Sequence, residues 1–367
     1  MGKIALVSDV HLGTKQYGLK ERYDDFLTSF ARFGADVASR GVDAVVIGGD
    51  LFDSPRPDAH AVLKASEVVK RLSGCMLSTI PIWGIDGNHD LSNGDWLRVI
   101  GVQPLLDFEV FGIAGVKVAG LSYRSGRDLI AAIQQLVDAG VKADVLVAHF
   151  ALAEMNGGGS ADTGVQELTP LLEKLGVKAV LMGHVHIPDC RKWNGILFVN
   201  PGSTEMKSSN EPQDKFYFIL DTDTWEAHEV PLVTRTVQTV EITNEDELLA
   251  FREKLLEEAR VAISDGLTTE RPFYQVIADD SIDDVFKRLS SAAHDASALV
   301  RIVLRSSAAR DLAPVVDRKE GVATLESAIE ARFPKESPEA RLTANFLHAP
   351  EPSAIHLVVE RFMADEK

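Results

Sequence analysis

Ile4-Ala5-Leu6-Val7-Ser8-Asp9-Val10-His11 is an apolar run that ends on a carboxylate and an imidazole. Four apolar residues in succession read as a strand buried on both faces. In an open α/β sheet the ligand crevice lies beyond the carboxyl ends of the strands, so Asp9 and His11 stand where a ligand would be met. The arrangement recurs along the chain. Val45-Val46-Ile47-Gly48-Gly49-Asp50 ends on a second carboxylate, and Ile85-Asp86-Gly87-Asn88-His89-Asp90 adds an amide, an imidazole and a carboxylate. Val145-Leu146-Val147-Ala148-His149 ends on a histidine, and Val180-Leu181-Met182-Gly183-His184-Val185-His186 on two more. Gly49, Gly87 and Gly183 let the backbone turn tightly there. A single His or Asp after a strand is usually a hydrogen-bonded turn residue. Five such endings, holding five of the chain's 10 histidines, point instead to one shared crevice.

Working outward, Ile4–Ser8, Ala44–Ile47, Ile80–Ile85, Val116–Leu121, Asp144–Ala148 and Ala179–Met182 read as strands. Tyr23–Ser39, Ala59–Leu72, Leu129–Ala139 and Leu168–Leu175 read as the helices between them, which makes the architecture layered α/β. Ile196–Asn200, Phe216–Asp221 and Ala227–Leu232 follow with little helix between, as in an antiparallel meander, and suggest a second sheet packed on the first. After Thr234 the rhythm changes. Thr236–Ile242, Pro272–Ala278 and Ala298–Leu304 read as strands, with helices over Glu245–Ile263 and Ile282–Ala293. Proline then breaks the chain into short pieces. The expected division is 1–232, a small α+β domain over 233–308, and a C-terminal region over 309–367 with a helical tail.

The bulk numbers fit a soluble globular protein: 367 residues, 45% hydrophobic and 25% charged. No apolar run approaches the roughly 18–20 residues of a membrane span, and Met1–Val7 does not read as a signal peptide. Two cysteines, Cys75 and Cys190, make a disulfide framework unexpected and a reducing cytoplasm the default. A net charge of −17 is unusual for a protein that grips nucleic acid by charge alone. Either the substrate is not nucleic acid, or bound metal ions and a basic partner supply the positive field.

Imidazole, carboxylate and amide donors without thiolate suit Mn²⁺, Fe²⁺ or Zn²⁺. Two carboxylates, one amide and four imidazoles are too many donors for one ion, and they suit two ions sharing a carboxylate. With these residues in view, Asp9-Val10-His11, Gly49-Asp50, Gly87-Asn88-His89-Asp90, His149 and Gly183-His184-Val185-His186 resemble the motifs of the calcineurin-like metallophosphoesterases. Ser8–Gly13 with Gln16–Arg22, Gly49–Asp53 with Arg56-Pro57, and Asn200-Pro201-Gly202-Ser203-Thr204 resemble the SbcD branch, the DNA-end nucleases called meiotic recombination eleven in archaea and eukaryotes.

The resemblance covers residues 8–204 and implies a two-sheet sandwich flanked by helices in four layers, with a small capping domain. It implies two divalent ions, Mn²⁺ foremost. Asp9, His11, Asp50 and His186 would hold one, and Asp50, Asn88, His149 and His184 the other. His89 would be catalytic, protonating the leaving sugar oxygen or steadying the transition state, and Asp90 would fix its tautomer or merely cap a turn. Asp53 stands where many relatives carry histidine. The implied activity is metal-dependent exonuclease and endonuclease cleavage of DNA in break repair, in the cytoplasm at the nucleoid. The implied partners are DNA, an SbcC-type coiled-coil ABC ATPase and a second copy of the chain. Ile355, Val358, Val359 and Phe362 form a stripe suited to docking the ATPase, while Ala59–Leu72 and Asp95–Val102 lie where relatives dimerise. Lys15, Arg22, Arg56, Arg124 and Arg127 are candidate DNA contacts. Two rival readings are a phosphodiesterase or phosphatase acting on small phosphoesters, and a scaffold without metals.

Overall fold

Strict alternation inside the apolar runs builds the core. Ile4 and Leu6 pack into one buried cluster with Val46, Val147 and Leu181, while Ala5 and Val7 pack into another with Phe30, Phe33 and Ile47. Successive side chains of a strand point to opposite faces, so each run serves two cores, and its period of two is masked because both faces are apolar. The structure, a computed structural model, describes residues 2–74, 79–208, 210–264, 272–296 and 298–305. The expected C-terminal region, with the Ile355–Phe362 stripe and the helical tail, lies outside the described residues, as does Cys75.

The strands run in chain order as β1 (Lys3–Val7), β2 (Ala44–Ile47), β3 (Ile82–Gly84), β4 (Gln103–Pro104), β5 (Val110–Ile113), β6 (Val116–Leu121), β7 (Val145–His149), β8 (Ala179–Gly183), β9 (Asp189–Trp193), β10 (Ile196–Asn200), β11 (Lys215–Asp221) and β12 (Glu226–Leu232). One six-stranded sheet has the order β12-β11-β1-β2-β3-β4 and the other β5-β6-β7-β8-β10-β9. Helices α1 (Lys20–Val37), α2 (Ala59–Ser73) and α3 (Asp95–Ile100) contribute Phe30, Ala65 and Leu97 to the core on the first sheet's outer face. Helices α4 (Gly126–Asp138) and α5 (Val165–Leu175) contribute Ile133 and Leu168 to the core on the second. The third core lies between the sheets, which gives the four-layer α/β sandwich. Each fully buried Val, Ile, Leu or Phe here contributes about 1.5–3 kcal/mol.

The expected meander is corrected. β10 pairs parallel with β8 in the second sheet, whereas β11 pairs antiparallel with β1 and joins the first. The chain changes sheets between them, through Pro201–Asp214, because the apolar alternation of β11 places Phe218 and Leu220 against the inter-sheet core beside Ile4 and Leu6.

Beyond Thr234, β13 (Val237–Ile242), α6 (Glu245–Ser264), β14 (Phe273–Asp279), α7 (Val285–Asp295) and β15 (Leu299–Arg305) form the small module. Its three strands are all parallel, in the order β13-β14-β15. Parallel neighbours need a crossover, so helices and strands alternate here rather than segregate. The module touches the first sheet's helices through a buried cluster. The Arg22 guanidinium bonds Asp25 at 2.7 Å and Glu205 at 3.2 Å, lies 5.7 Å from the Phe273 ring, and Asp25 also takes Arg235 at 2.7 Å.

Candidate metal centre

The ends of β1, β2 and β8 stop abruptly because their backbone enters the left-handed region. Asp9 (φ 51°), His11 (φ 50°), Asp50 (φ 50°) and His184 (φ 91°) all have positive φ, which residues with a side chain adopt only at a cost of about 1–3 kcal/mol each. Their neighbours over-determine them. His11 N donates to the Asp50 main-chain oxygen at 3.0 Å, Asp9 N to that of Gly49 at 3.2 Å, and His184 N to the Asp9 carboxylate at 3.0 Å. The turn after β2 leaves no room beside it: a Cβ on Gly49 would lie 2.4 Å from His149 Nδ1.

The turns bring eight of the nine predicted residues into one crevice. Asp50 Oδ2 lies 3.7 Å from His11 Nε2 and 3.4 Å from His149 Nε2. Asp9 Oδ1 is 3.7 Å from His186 Nε2 and 4.0 Å from His11 Nε2. Asn88 Oδ1 sits 2.9 Å from His184 Nδ1 and 3.3 Å from His149 Nε2. Asp9 with His11 and His186, and Asp9 with Asp50 and His149, each offer donor atoms within 4.8 Å of one another. His11, Asp50 and His89 form a third such group, so distance alone does not exclude His89 as a donor.

The outward nitrogens of His149 and His186 are held by acceptors: His149 Nδ1 lies 2.8 Å from the Gly48 main-chain oxygen and His186 Nδ1 2.8 Å from Glu211 Oε1. His11 Nδ1 lies 3.3 Å from Asp53 Oδ1 and 3.1 Å from the Lys207 ammonium, a donor. On His149 and His186 a proton on Nδ1 leaves Nε2 with a lone pair facing the crevice, the usual state of a metal-binding imidazole. His11 Nε2 and His186 Nε2 face each other at 3.1 Å, with two carboxylates beside them. The electrostatics agree. Burial alone would lower His149, yet the Asp50 and Asp9 carboxylates raise it to about 9. Burial would raise Asp50, but the His149 and His11 imidazoles and the His89 amide hold it well below the usual carboxylate range. The crevice thus demands positive charge, and its oxygen and nitrogen donors fit divalent transition ions.

His89 is the exposed member, with 37% of its side chain accessible. Its Nδ1 lies 3.1 Å from the Asp53 main-chain oxygen. The tautomer-fixing role expected of Asp90 is therefore corrected. Asp90 is buried and accepts from Gly87 N at 2.8 Å and Phe52 N at 3.0 Å, tying together the turns after β2 and β3. Burial and the nearby Asp50 charge push it up to about 7. Arg22 is corrected too: fully buried in its carboxylate cluster, it faces no solvent and offers nothing to DNA. Arg124 is paired with Asp107, and Arg56 and Arg127 are exposed.

Glu211 and Lys207 were not singled out from sequence. Glu211 takes His186, Ser203 and the buried Lys215; burial would raise it, but His186 and Lys215 hold it down to about 2. Lys207 Nζ lies 2.7 Å from Asp53 Oδ1. Both residues sit in the irregular Pro201–Asp214 segment, where no periodicity signals them. The one available hint was the run Asn200-Pro201-Gly202-Ser203-Thr204 just ahead.

Comparison with known proteins gives four findings. The calcineurin-like phosphoesterase family matches residues 2–188. The DNA double-strand break repair protein Mre11 of Haloferax volcanii is 32% identical over 251 residues, 66% of this chain and 55% of that protein, so this chain spans little more than half of it. The protein of the same name from Halobacterium salinarum is 26% identical over 303 residues, covering 76% of this chain and 75% of that one. Among solved structures, a dimetal phosphatase from Danio rerio superposes at a TM-score of 0.44 with 12% identity, over 63% of this chain and 96% of that chain.

Proposed function

The chain belongs to the calcineurin-like phosphoesterase family, and from that membership and its crevice of convergent donors we propose that it is a metal-dependent DNA nuclease. The observation that carries this reading is Asp50 Oδ2, set between His11 Nε2 at 3.7 Å and His149 Nε2 at 3.4 Å. A carboxylate so placed can serve two donor sets at once. Asp9, His11, Asp50 and His186 would hold one ion, and Asp50, Asn88, His149 and His184 the other. Two divalent ions held there, Mn²⁺ in our reading, would supply an activated water and a clamp on the phosphoryl group.

The chain's own residues prepare that chemistry. Gly48 and Glu211 keep the protons of His149 and His186 on the outward nitrogens. The left-handed turns fix the donors on rigid strand ends, so little reorganisation accompanies binding. His89, with its Nδ1–H engaged by the Asp53 main-chain oxygen, would give up the Nε2 proton of its imidazolium form to the departing sugar oxygen, a role worth roughly 10²–10⁴-fold.

DNA as the substrate rests on likeness to archaeal proteins named for double-strand break repair. On the same ground we assign exonuclease and endonuclease action on DNA ends, an SbcC-type ATPase partner docking on 309–367, a capping role for 233–308 beside a nuclease domain at 1–232, and a place at the nucleoid. Exposed Leu63 on α2 and Val99 on α3 support a homodimer through those helices. The metals and the basic partner answer the charge of −17.

The test is cleavage of end-labelled duplex and hairpin DNA in Mn²⁺ by the wild type and by His184→Ala. Release of label by the wild type alone supports the proposal. Hydrolysis of bis(4-nitrophenyl) phosphate with DNA left intact would move the reading to small phosphodiesters.

A further inference from the structure

Beside the donors, and sharing none of them, lies a second concavity of about 370 Å³ at the carboxyl end of β3. Its size is that of a small-molecule site. Tyr123 lines it and also forms the wall toward the metal centre, its ring centroid 5.6 Å from that of His184 and 6.1 Å from that of His149. Two more lining residues, Leu91 and Leu106, are 47% and 37% exposed, although both are large and apolar. Phe108, 42% exposed, stands next to them with the Arg124 guanidinium 5.7 Å from its ring. Large apolar side chains left in water around one concavity mark a binding surface.

The polar lining is sparse and fixed. Ser122 N donates to Asp107 Oδ1 at 2.8 Å, and Asp107 also holds the Arg124 guanidinium. An aromatic wall and apolar lips suit a flat heteroaromatic ring. The Tyr123 ring joins that place to His149 and His184, two of the residues that would hold a metal beside a phosphate.

We propose that this concavity receives the nucleobase of the nucleotide whose phosphate lies at the metal centre, unpaired and stacked on Tyr123. The inference rests on the nuclease reading and deepens it. A base that must leave its stack is easiest to seat from a frayed end or a single strand, where unpairing costs least. The site would therefore prefer ends and unpaired strands over intact duplex.

The probe is 2-aminopurine deoxynucleoside 5′-monophosphate, whose fluorescence falls on stacking, titrated in Mg²⁺ into the full chain. The wild type should quench it. Tyr123→Phe should quench it equally, and Tyr123→Ala should bind it on the order of tenfold more weakly with the quenching lost. Methyl phosphate, which has no base, should compete equally in wild type and Tyr123→Ala, which also checks that the variant is folded. Binding without quenching by the wild type, or undiminished quenching by Tyr123→Ala, overturns the proposal. DNA cleavage with an unquenched probe would remove the base site and leave the nuclease. A quenched probe without DNA cleavage would keep a nucleotide site and remove the DNA substrate.

Discussion

Gly87→Ala should empty the metal centre from a distance of one methyl group. Gly87 lies between Asp86 and Asn88, and its φ is not in the left-handed region, so its backbone tolerates alanine. The obstacle is space. A Cβ there would stand 2.0 Å from Asp50 Oδ1 and 2.4 Å from Asp50 N, whereas real contacts stay beyond 3.0 Å. The Asp50 oxygen would have to retreat by about 1 Å, the difference between 3.0 and 2.0 Å. That movement breaks its 2.8 Å bond from His89 N. Overpacking and a lost bond to a charged group together cost roughly 2–5 kcal/mol. At about 2–4 °C per kcal/mol for a domain of this size, the melting temperature should drop by roughly 4–20 °C. Because Asp50 serves both donor sets, both ions should weaken, and a misplacement of about 1 Å can cost on the order of 10²-fold in turnover. The assays are elemental analysis for metal per chain, DNA cleavage rate and calorimetry. Gly112→Ala is the control, since nothing lies within 4 Å of its Cβ. Two ions per chain with turnover within about twofold of wild type in Gly87→Ala would refute the argument that places Asp50 at the centre of the site.

Three further outcomes are expected. His89→Ala should keep its metal and lose roughly 10²–10⁴-fold in turnover, measured under saturating Mn²⁺; a metal-free variant would make His89 a donor instead. Glu211→Gln should bind Mn²⁺ about 10–100-fold more weakly in chelator competition, because the carboxylate behind His186 is gone; an unchanged affinity would reduce Glu211 to a partner of Lys215. Arg22→Met should cost about 3–5 kcal/mol in denaturant unfolding, since Asp25 and Glu205 lose a buried counter-charge. A loss below about 1 kcal/mol, the range of surface ion pairs, would show that the cluster is open to water.

The convergence of the proposed donors was legible in the sequence because each follows an apolar run, and a polar group at such a point has few structural reasons to recur five times. Asp9, His11, Asp50, Asn88, His149, His184 and His186 all announce themselves this way. The supporting shell does not. Asp53, Lys207 and Glu211 reach the histidines from irregular segments, and their pairing depends on tertiary proximity that no local pattern encodes. The role expected of Asp90 failed for a similar reason. Adjacency in Gly87-Asn88-His89-Asp90 suggested a partner for His89, but the turn points the carboxylate back to Gly87 N and Phe52 N. Among strands, the central ones were visible, as were β12, β13 and β15 at sheet edges, but the edge strands β4, β5 and β9 were not. Asp189-Cys190-Arg191-Lys192-Trp193 is a polar edge strand, β9, with no apolar run to reveal it. The hairpin of β11 and β12 showed its strands but not its sheet, since chain order does not say on which side of the inter-sheet core a strand will settle.

The central claim is that two ions share Asp50. Anomalous diffraction at the manganese edge from crystals soaked in Mn²⁺ tests it most directly. The account predicts two peaks about 3.5–4 Å apart, one against Asp9, His11 and His186, the other against Asn88, His149 and His184, with the Asp50 carboxylate between them. A single peak, or two peaks of which one lacks Asp50, would contradict it.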